Sequence, residues 1–131
     1  MKNEMKEKRR SLSSYEQNVL LPILMKSLKM KRGRINAVTN KQIVCGLKNH
    51  GLRTNEKNLH KLINHIRRND LVAGLMASSV GYYIANNEQE LIQYEKSLLG
   101  RETEIRKVRL SITRQRRAMF SKLSYMQTQL F

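Results

Sequence analysis

The chain has 131 residues, and 26 Lys and Arg against 10 Asp and Glu give it a formal net charge of +16. This length suits one domain with an appendage. An apolar share of 40 % argues against global disorder, and the apolar runs are too short to cross a bilayer. The single cysteine excludes an internal disulfide. We therefore expect a cytoplasmic, non-membrane protein that binds a polyanion, with nucleic acid ahead of an anionic membrane surface or an acidic protein.

The first part of the chain predicts a tail followed by a helix. Residues 1–12 are polar and basic without an apolar face, and we predict a flexible tail. A helix is predicted over residues 15–30, because Ser13 with Glu16 and Ser14 with Gln17 both fit the spacing of a capping box. Pro22 predicts a kink in this helix or its real start. The residues expected to face the core are Val19, Leu20, Ile23, Leu24 and Leu28.

Two more helices are predicted before residue 70. Thr39 and Gln42 form a capping box that opens a helix ending near Asn49, and Cys45 beside its apolar face is interpreted as a small core residue. After a turn at Gly51, Thr54 is predicted to cap a helix over residues 55–69. The inward side chains are Ile43, Val44 and Leu47 in the second helix and Leu59, Leu62, Ile63 and Ile66 in the third, the latter at i, i+3, i+4, i+7.

A short hairpin and a long helix complete the prediction. Strands are expected over residues 75–77 and 82–85, joined by a turn at 78–81, with Tyr82 and Tyr83 packing against the sheet. Asn87 and Glu90 then open a helix from residue 88 to about 127, roughly 60 Å long at ~1.5 Å per residue, with Gly100 as the expected hinge. Apolar residues at strict heptad spacing predict a seam for oligomerisation at Leu91, Leu98, Ile105, Ile112, Met119 and Met126.

The order of these elements predicts a mainly α fold with a small β-hairpin. We interpret residues 13–87 as a winged helix-turn-helix and residues 88–131 as a long C-terminal helix that forms a coiled coil in a homodimer or docks on another protein. The third helix would then be the recognition helix. Its polar face carries no acid and combines phosphate-binding cations with amides that can contact bases, although a merely solvated face is the alternative.

The predicted DNA-binding residues fall into three groups. They are Lys57, Asn58, Lys61, Asn64, His65 and Arg68 on the third helix, Lys31, Arg32, Arg34 and Arg53 in the loops, and Ser78 and Ser79 in the hairpin turn. The loop cations would hold phosphates or, alternatively, only complement the negative end of a helix dipole. Lys61 is central to the stripe, so Lys61→Glu is expected to abolish duplex binding and leave the fold intact.

Residue chemistry argues against catalysis. Asp occurs once, which excludes paired aspartates for two-metal chemistry. His50, His60 and His65 share no metal-ligand spacing with the cysteine, and no Gly-rich phosphate loop follows a strand. We expect neither a cofactor, a metal nor an enzymatic activity.

The chain resembles a family of small phage and mobile-element proteins with a winged-helix fold. The residues that carry the resemblance are the helix entry 37–43, the helix segment 61–67, the wing-like stretch 77–85 and the helix segment 90–101. The resemblance implies a DNA-binding regulator or replication accessory. It also implies an alternative, since some small phage proteins of this size inhibit host defence by binding a host protein or nucleoprotein complex.

Overall fold

The structure, a computed structural model, describes residues 11–121. A π-helical segment (Glu16–Leu20) runs directly into helix α1 (Leu21–Leu28), followed by a 3₁₀ turn (Arg34–Asn36), α2 (Asn40–Asn49) and α3 (Glu56–Arg68). Strands β1 (Leu75–Ser78) and β2 (Gly81–Ile84) precede the last helix, α4 (Glu88–Phe120). The predicted mainly helical fold with a small hairpin and a long C-terminal helix is therefore confirmed. The predicted tail up to residue 10 and the seam position Met126 lie outside the described residues.

The chain divides into two compact units. The first, Met1–Leu91, contains α1 to α3 and the hairpin, and the second, Ile92–Phe131, contains most of α4. The core of the first unit is formed by leucines of the first helical segments and by the predicted stripe of α3, whose four residues are at most 1 % exposed. This confirms the apolar spacing as the signal that orients α3.

The start of the first helix has one of the two capping boxes that its sequence allows, the one formed by Ser13 and Glu16. The backbone N–H of Ser13 donates to Glu16 Oε1 at 2.9 Å, and the N–H of Glu16 donates to Ser13 Oγ at 3.1 Å. Pro22 lies in the first turn of α1, directly after the π-helical segment, and it has no backbone N–H to donate to that segment. Pro22 therefore marks the start of the regular α-helix after a π-helical entry.

The predicted core side of this helix is wrong at two of five positions. Leu20, Leu24 and Leu28 are buried, but Val19 is 36 % and Ile23 is 39 % exposed. The π-helical segment has a wider turn than an α-helix, so residues before α1 leave the 3.6-residue period on which the prediction relied. Ile23 instead lines an open groove beside α2.

The caps of α2 and α3 show one confirmed and one corrected prediction. At α2 the Thr39 and Gln42 capping box is complete. At α3 the cap is Asn55 rather than Thr54, because Asn55 Oδ1 accepts the Asn58 N–H at 2.8 Å. The Thr54 hydroxyl is buried without a hydrogen-bond partner among the described residues. Cys45 is exposed on α2, so its predicted core position is also wrong.

The hairpin is extended by the connection between α1 and α2. Val38 exchanges two backbone hydrogen bonds with Tyr82, of 3.0 and 2.8 Å, and the Ile84 N–H donates to Lys31 O at 2.7 Å. Residues 31–38 thus lie along the edge of β2 that β1 leaves open. Both tyrosines of β2 are buried, at 8 % and 7 % exposure, which confirms a packing role for Tyr82 and Tyr83.

Gly81 makes this close pairing possible. Its φ is +117°, a conformation that L side chains rarely adopt. A Cβ at this position would also collide with the carbonyl group of Val38 and lie 3.0 Å from the Thr39 nitrogen. The start of β2 can therefore approach the start of α2 only because residue 81 has no side chain.

Helix α4 continues through Gly100 without the expected hinge. It has 33 residues, and Asn87 caps it by accepting the Glu90 N–H at 3.0 Å, while Glu90 accepts from the Asn86 N–H. One glycine costs a helix only about 1 kcal/mol relative to Ala, which is too little to end a helix of this length. Within residues 11–121, no helix combines the length and apolarity that crossing a bilayer would require.

Candidate nucleic-acid interface

The polar face of α3 presents fewer free cations than its sequence predicts. Lys57 and Arg68 are exposed and lie eleven residues apart, about 16 Å along the helix axis. Asn58, Asn64 and His65 between them are half-buried. The exposed face therefore carries two cations near its ends, with amide and imidazole groups between them.

Lys61 is engaged inside the protein. Its Nζ lies 2.8 Å from Glu16 Oε1, and the two side chains are 23 % and 7 % exposed. The same carboxylate oxygen accepts the Ser13 N–H of the capping box. Lys61 therefore links the recognition-helix candidate to the start of the first helix, 45 residues earlier in the chain.

This pair determines the charge state of Glu16. Burial by itself raises the pKa of the carboxyl group, but hydrogen bonds from Lys61 and Ser13 together with the positive charge of Lys61 outweigh it. The pKa of Glu16 therefore lies below its ordinary value of 4.5. At neutral pH the carboxylate is ionised and holds the lysine, while its other oxygen, Oε2, is buried without a hydrogen-bond partner in the described structure.

The hairpin turn lies beside the start of α2. Tyr82 donates its hydroxyl hydrogen to Asn40 Oδ1 at 2.8 Å, and residue 81 contacts the backbone at Val38 and Thr39. The Ser78 hydroxyl is used within the turn, because it donates to Gly81 O and accepts the Val80 N–H. Of the two predicted turn contacts, only the exposed Ser79 has no hydroxyl bond of this kind.

The predicted loop cations lie at the other end of β2. The backbone of Lys31 and Gly33 pairs with Ile84, three residues or about 10 Å along the strand from Gly81. Arg32 and Arg34 are exposed there, whereas Lys31 is half-buried. Arg53 is exposed in the connection between α2 and α3. The structure therefore places the hairpin turn next to the start of α2 and separates it from the basic loop.

Lys41 and Asn40 were absent from the predicted site. They occupy the first turn of α2, directly beside the hairpin turn, and Lys41 is exposed. The positive end of the helix dipole and free N–H groups favour an anion at this place. The capping box at Thr39 was the sequence signal for a helix start here, but the approach of the turn to it depends on tertiary pairing.

The second unit exposes the predicted seam. Exposure is 36 % at Leu98, 69 % at Ile105, 56 % at Ile112 and 67 % at Met119, while Leu91, in the first unit, is half-buried. Basic side chains outnumber acidic ones by eight to three over residues 92–121. The ion pair of Glu104 with Lys107, 3.1 Å long, is highly exposed and contributes little stability. Apolar and cationic side chains are thus both available on α4.

The described residues contain no group of three or more His, Cys, Asp and Glu that could hold a metal ion. No family model matches the chain, and comparison with curated proteins and with solved structures finds no match either. The function must therefore be inferred from the charge, exposure and hydrogen bonding of the residues described above.

Proposed function

We propose that the protein is a non-catalytic, cytoplasmic double-stranded DNA-binding protein with a winged helix-turn-helix in its first unit. The order of helix, paired edge segment, two helices and hairpin supports this proposal, because the edge segment completes a small sheet beside a helix-turn-helix candidate. The resemblance to small phage and mobile-element proteins points the same way, toward a regulator or replication accessory.

The observation that carries the proposal is the excess of exposed cations in the first unit, among them Lys57 and Arg68 on α3 and Lys41 in the first turn of α2. Residues 11–91 contain twelve basic and five acidic side chains, and one of the acids, Glu16, is buried in the pair with Lys61. Lys57 and Arg68 on α3 and Lys41 on α2 would contact phosphates, while Asn64 and Asn58 would approach base edges. His65, Arg53 and Ser79 would lie at the margin of this interface.

Within this proposal Lys61 is a positioning residue rather than a DNA contact. The ammonium group of Lys61 donates to the buried carboxylate of Glu16. If Lys61 turned toward DNA, that carboxylate would be a buried charge without its partner. Lys61 holds α3 against the first helix and so orients Lys57 and Arg68. The cations Lys31, Arg32 and Arg34 would reach only flanking backbone, because they lie at the far end of β2 from the hairpin turn.

Duplex binding measured against salt tests the proposal. Fluorescence anisotropy with a labelled genomic duplex should give an affinity that falls steeply with salt, with a slope of about −0.9 for each phosphate contact in a plot of log K against log salt. Lys57→Gln should reduce this slope by about one contact. Lys26→Gln, which removes an exposed cation from α1, is the matched control and should leave the slope unchanged. Salt-insensitive binding, or equal slopes for both variants, would contradict the proposed interface.

A second candidate function is supported by the exposed seam of α4. Apolar residues such as Ile105 and Met119 are more than 60 % exposed, and such side chains are typical of a surface that binds another protein. The seam would either pair two copies in a homodimer or bind a host or phage protein. In the second case the protein would act as an inhibitor or adaptor. Pull-down after nuclease treatment separates the candidates: a retained partner protein without duplex binding supports the adaptor.

A further inference from the structure

An apolar groove of about 480 Å³ lies between α1 and α2 in the first unit. Besides Ile23, six of its lining residues have aliphatic side chains, which come from both helices and from the segments that follow them: Leu24, Leu28, Val38, Ile43, Leu47 and Leu52. Its volume falls within the range of sites that bind small molecules, about 300–1,000 Å³. Ile23 also lines it and is 39 % exposed, so apolar surface remains uncovered along the first helix.

Gly46 keeps the groove open at its α2 wall. Glycine is unfavourable in the interior of a helix, and Gly46 has neither a positive φ nor a close neighbour that requires it. A Cβ built at this position would meet no atom within 4 Å. The space above this glycine is therefore not filled by the packing of the described residues.

The polar side chains that line the groove favour an anion. Lys31 and His50 both line it, and no Asp or Glu belongs to its described lining. The His50 ring donates from Nδ1 to the carbonyl oxygen of Gly46 at 2.9 Å, which fixes the ring at the end of α2. A negatively charged headgroup at the groove would therefore meet the ammonium group of Lys31 without a competing carboxylate.

We propose that this groove binds an amphipathic carboxylate, an aliphatic chain with one anionic headgroup. The chain would lie against the leucines and above Gly46, and the carboxylate would contact Lys31. This proposal does not depend on DNA binding, because none of the groove residues except Lys31 belongs to the interface proposed above.

Calorimetric titration with three probes of equal tail tests the proposal: decanoate, nonyltrimethylammonium and 1-nonanol, each below its micellar or solubility limit and at physiological salt. Decanoate should bind about tenfold more tightly than the cationic probe. Octanoate should bind more weakly than decanoate, by about fourfold for each methylene removed. Amide chemical shifts in the wild-type protein should change at Gly46, Leu47 and His50 when decanoate saturates.

Two pairs of variants separate the groove from the general positive charge. Gly46→Leu fills the groove and should weaken decanoate binding by about tenfold or more, whereas Gly100→Leu, at a helical glycine that is equally open, should not change it. Lys31→Gln should weaken binding by about threefold, and Lys48→Gln on the exposed side of α2 should leave it unchanged.

Several results would overturn the proposal. Equal affinities for decanoate and the cationic probe would remove the anion site, and an unaffected Gly46→Leu variant would place the decanoate elsewhere on the surface. If that variant does not fold, the wild-type protein gives the same test: amide shifts that do not change in α2 when decanoate is added would also place the decanoate elsewhere on the surface. Shift changes at Gly46 that grow with protein concentration alone would identify a second copy of the protein as the occupant of the groove. Shift changes caused by an acidic amphipathic peptide but not by decanoate would identify a peptide helix as the occupant.

Discussion

Replacing Lys61 by Met is expected to destabilise the first unit, because it leaves the Glu16 carboxylate buried without its partner. Nζ and Oε1 are 2.8 Å apart, and the exposures of 23 % and 7 % show that the lysine keeps some access to water. Breaking a fully buried ion pair costs about 3–5 kcal/mol. Water at the lysine end reduces the expected cost to about 2 kcal/mol.

For a unit of this size, a loss of about 2 kcal/mol lowers Tm by roughly 10 °C, which thermal unfolding followed by circular dichroism would resolve. Lys57→Met on the same helix removes an exposed cation and should change Tm by no more than about 2 °C. Lys61→Glu would place a second carboxylate beside Glu16 and should be more destabilising than Met. The sequence-based expectation is that Lys61→Glu leaves the fold intact. The ion pair of Lys61 with the buried Glu16 argues against that expectation.

The pH dependence follows from the lowered pKa of Glu16. A carboxyl group whose folded pKa lies below its unfolded value of about 4.5 contributes stability above that value and loses it as the pH falls through the folded pKa. In Lys61→Met the hydrogen bond and the charge of the ammonium group are both lost, so the pKa of Glu16 is higher than in the wild type. The stability difference between wild type and Lys61→Met should therefore shrink as the pH falls from the pKa of Glu16 in the variant to its lower pKa in the wild type.

DNA affinity gives the opposite ranking of the two variants. Measured well below Tm, Lys57→Met should lose affinity for a duplex, whereas Lys61→Met should retain most of it if Lys61 only positions α3. A Lys61→Met protein with unchanged Tm and strongly reduced duplex affinity would refute the role assigned to this ion pair.

Three further predictions concern the fold and the long helix. Gly81→Ala should lower the free energy of unfolding in urea by about 3 kcal/mol or more, because residue 81 has a positive φ and an added Cβ would collide with the Val38 carbonyl group. Gly51→Ala should lower it less, because Gly51 has a positive φ but open space around the added Cβ. Asn55→Ala should lower the free energy of unfolding by about 1 kcal/mol, because it removes the cap of α3. Thr54→Val should be neutral or stabilising, because it removes a buried hydroxyl group without a partner among the described residues. A larger loss in Thr54→Val than in Asn55→Ala would identify Thr54 as the cap. Ile105→Asp combined with Ile112→Asp should convert a dimer to a monomer in sedimentation velocity, whereas the pair Thr103→Asp and Thr113→Asp, away from the heptad seam, should not. A monomeric wild type would assign the seam to another partner.

Local patterns predicted most of the elements. The capping boxes at Ser13 and Thr39 and the apolar stripe of α3 depend on residues three or four apart, so the chain near each position contains the information. The hairpin was found for the same reason. Errors arose where a local rule had two solutions, as with Thr54 and Asn55, or where a π-helical segment altered the period before α1.

The candidate interface was less accessible to sequence reasoning. A helical wheel places Lys61 opposite the buried stripe, yet the lysine side chain is long enough to reach Glu16 from the first helix. Likewise, Lys41 acquires its place beside the hairpin turn through the bonds of Tyr82 to Val38 and Asn40, 42 or more residues away. No spacing rule within one helix carries such information.

The sequence alone determined the basic character of the protein, the order of its elements and the buried face of α3, because composition and short-range periodicity act on each segment independently. Only the tertiary structure decided which cations remain available, since a charge is removed from the surface by a partner that is distant in the chain. It also decided that the α1–α2 connection pairs with β2 and that Gly46 faces an open groove. These features result from the packing of elements against each other, and that packing depends on contacts between residues far apart in sequence.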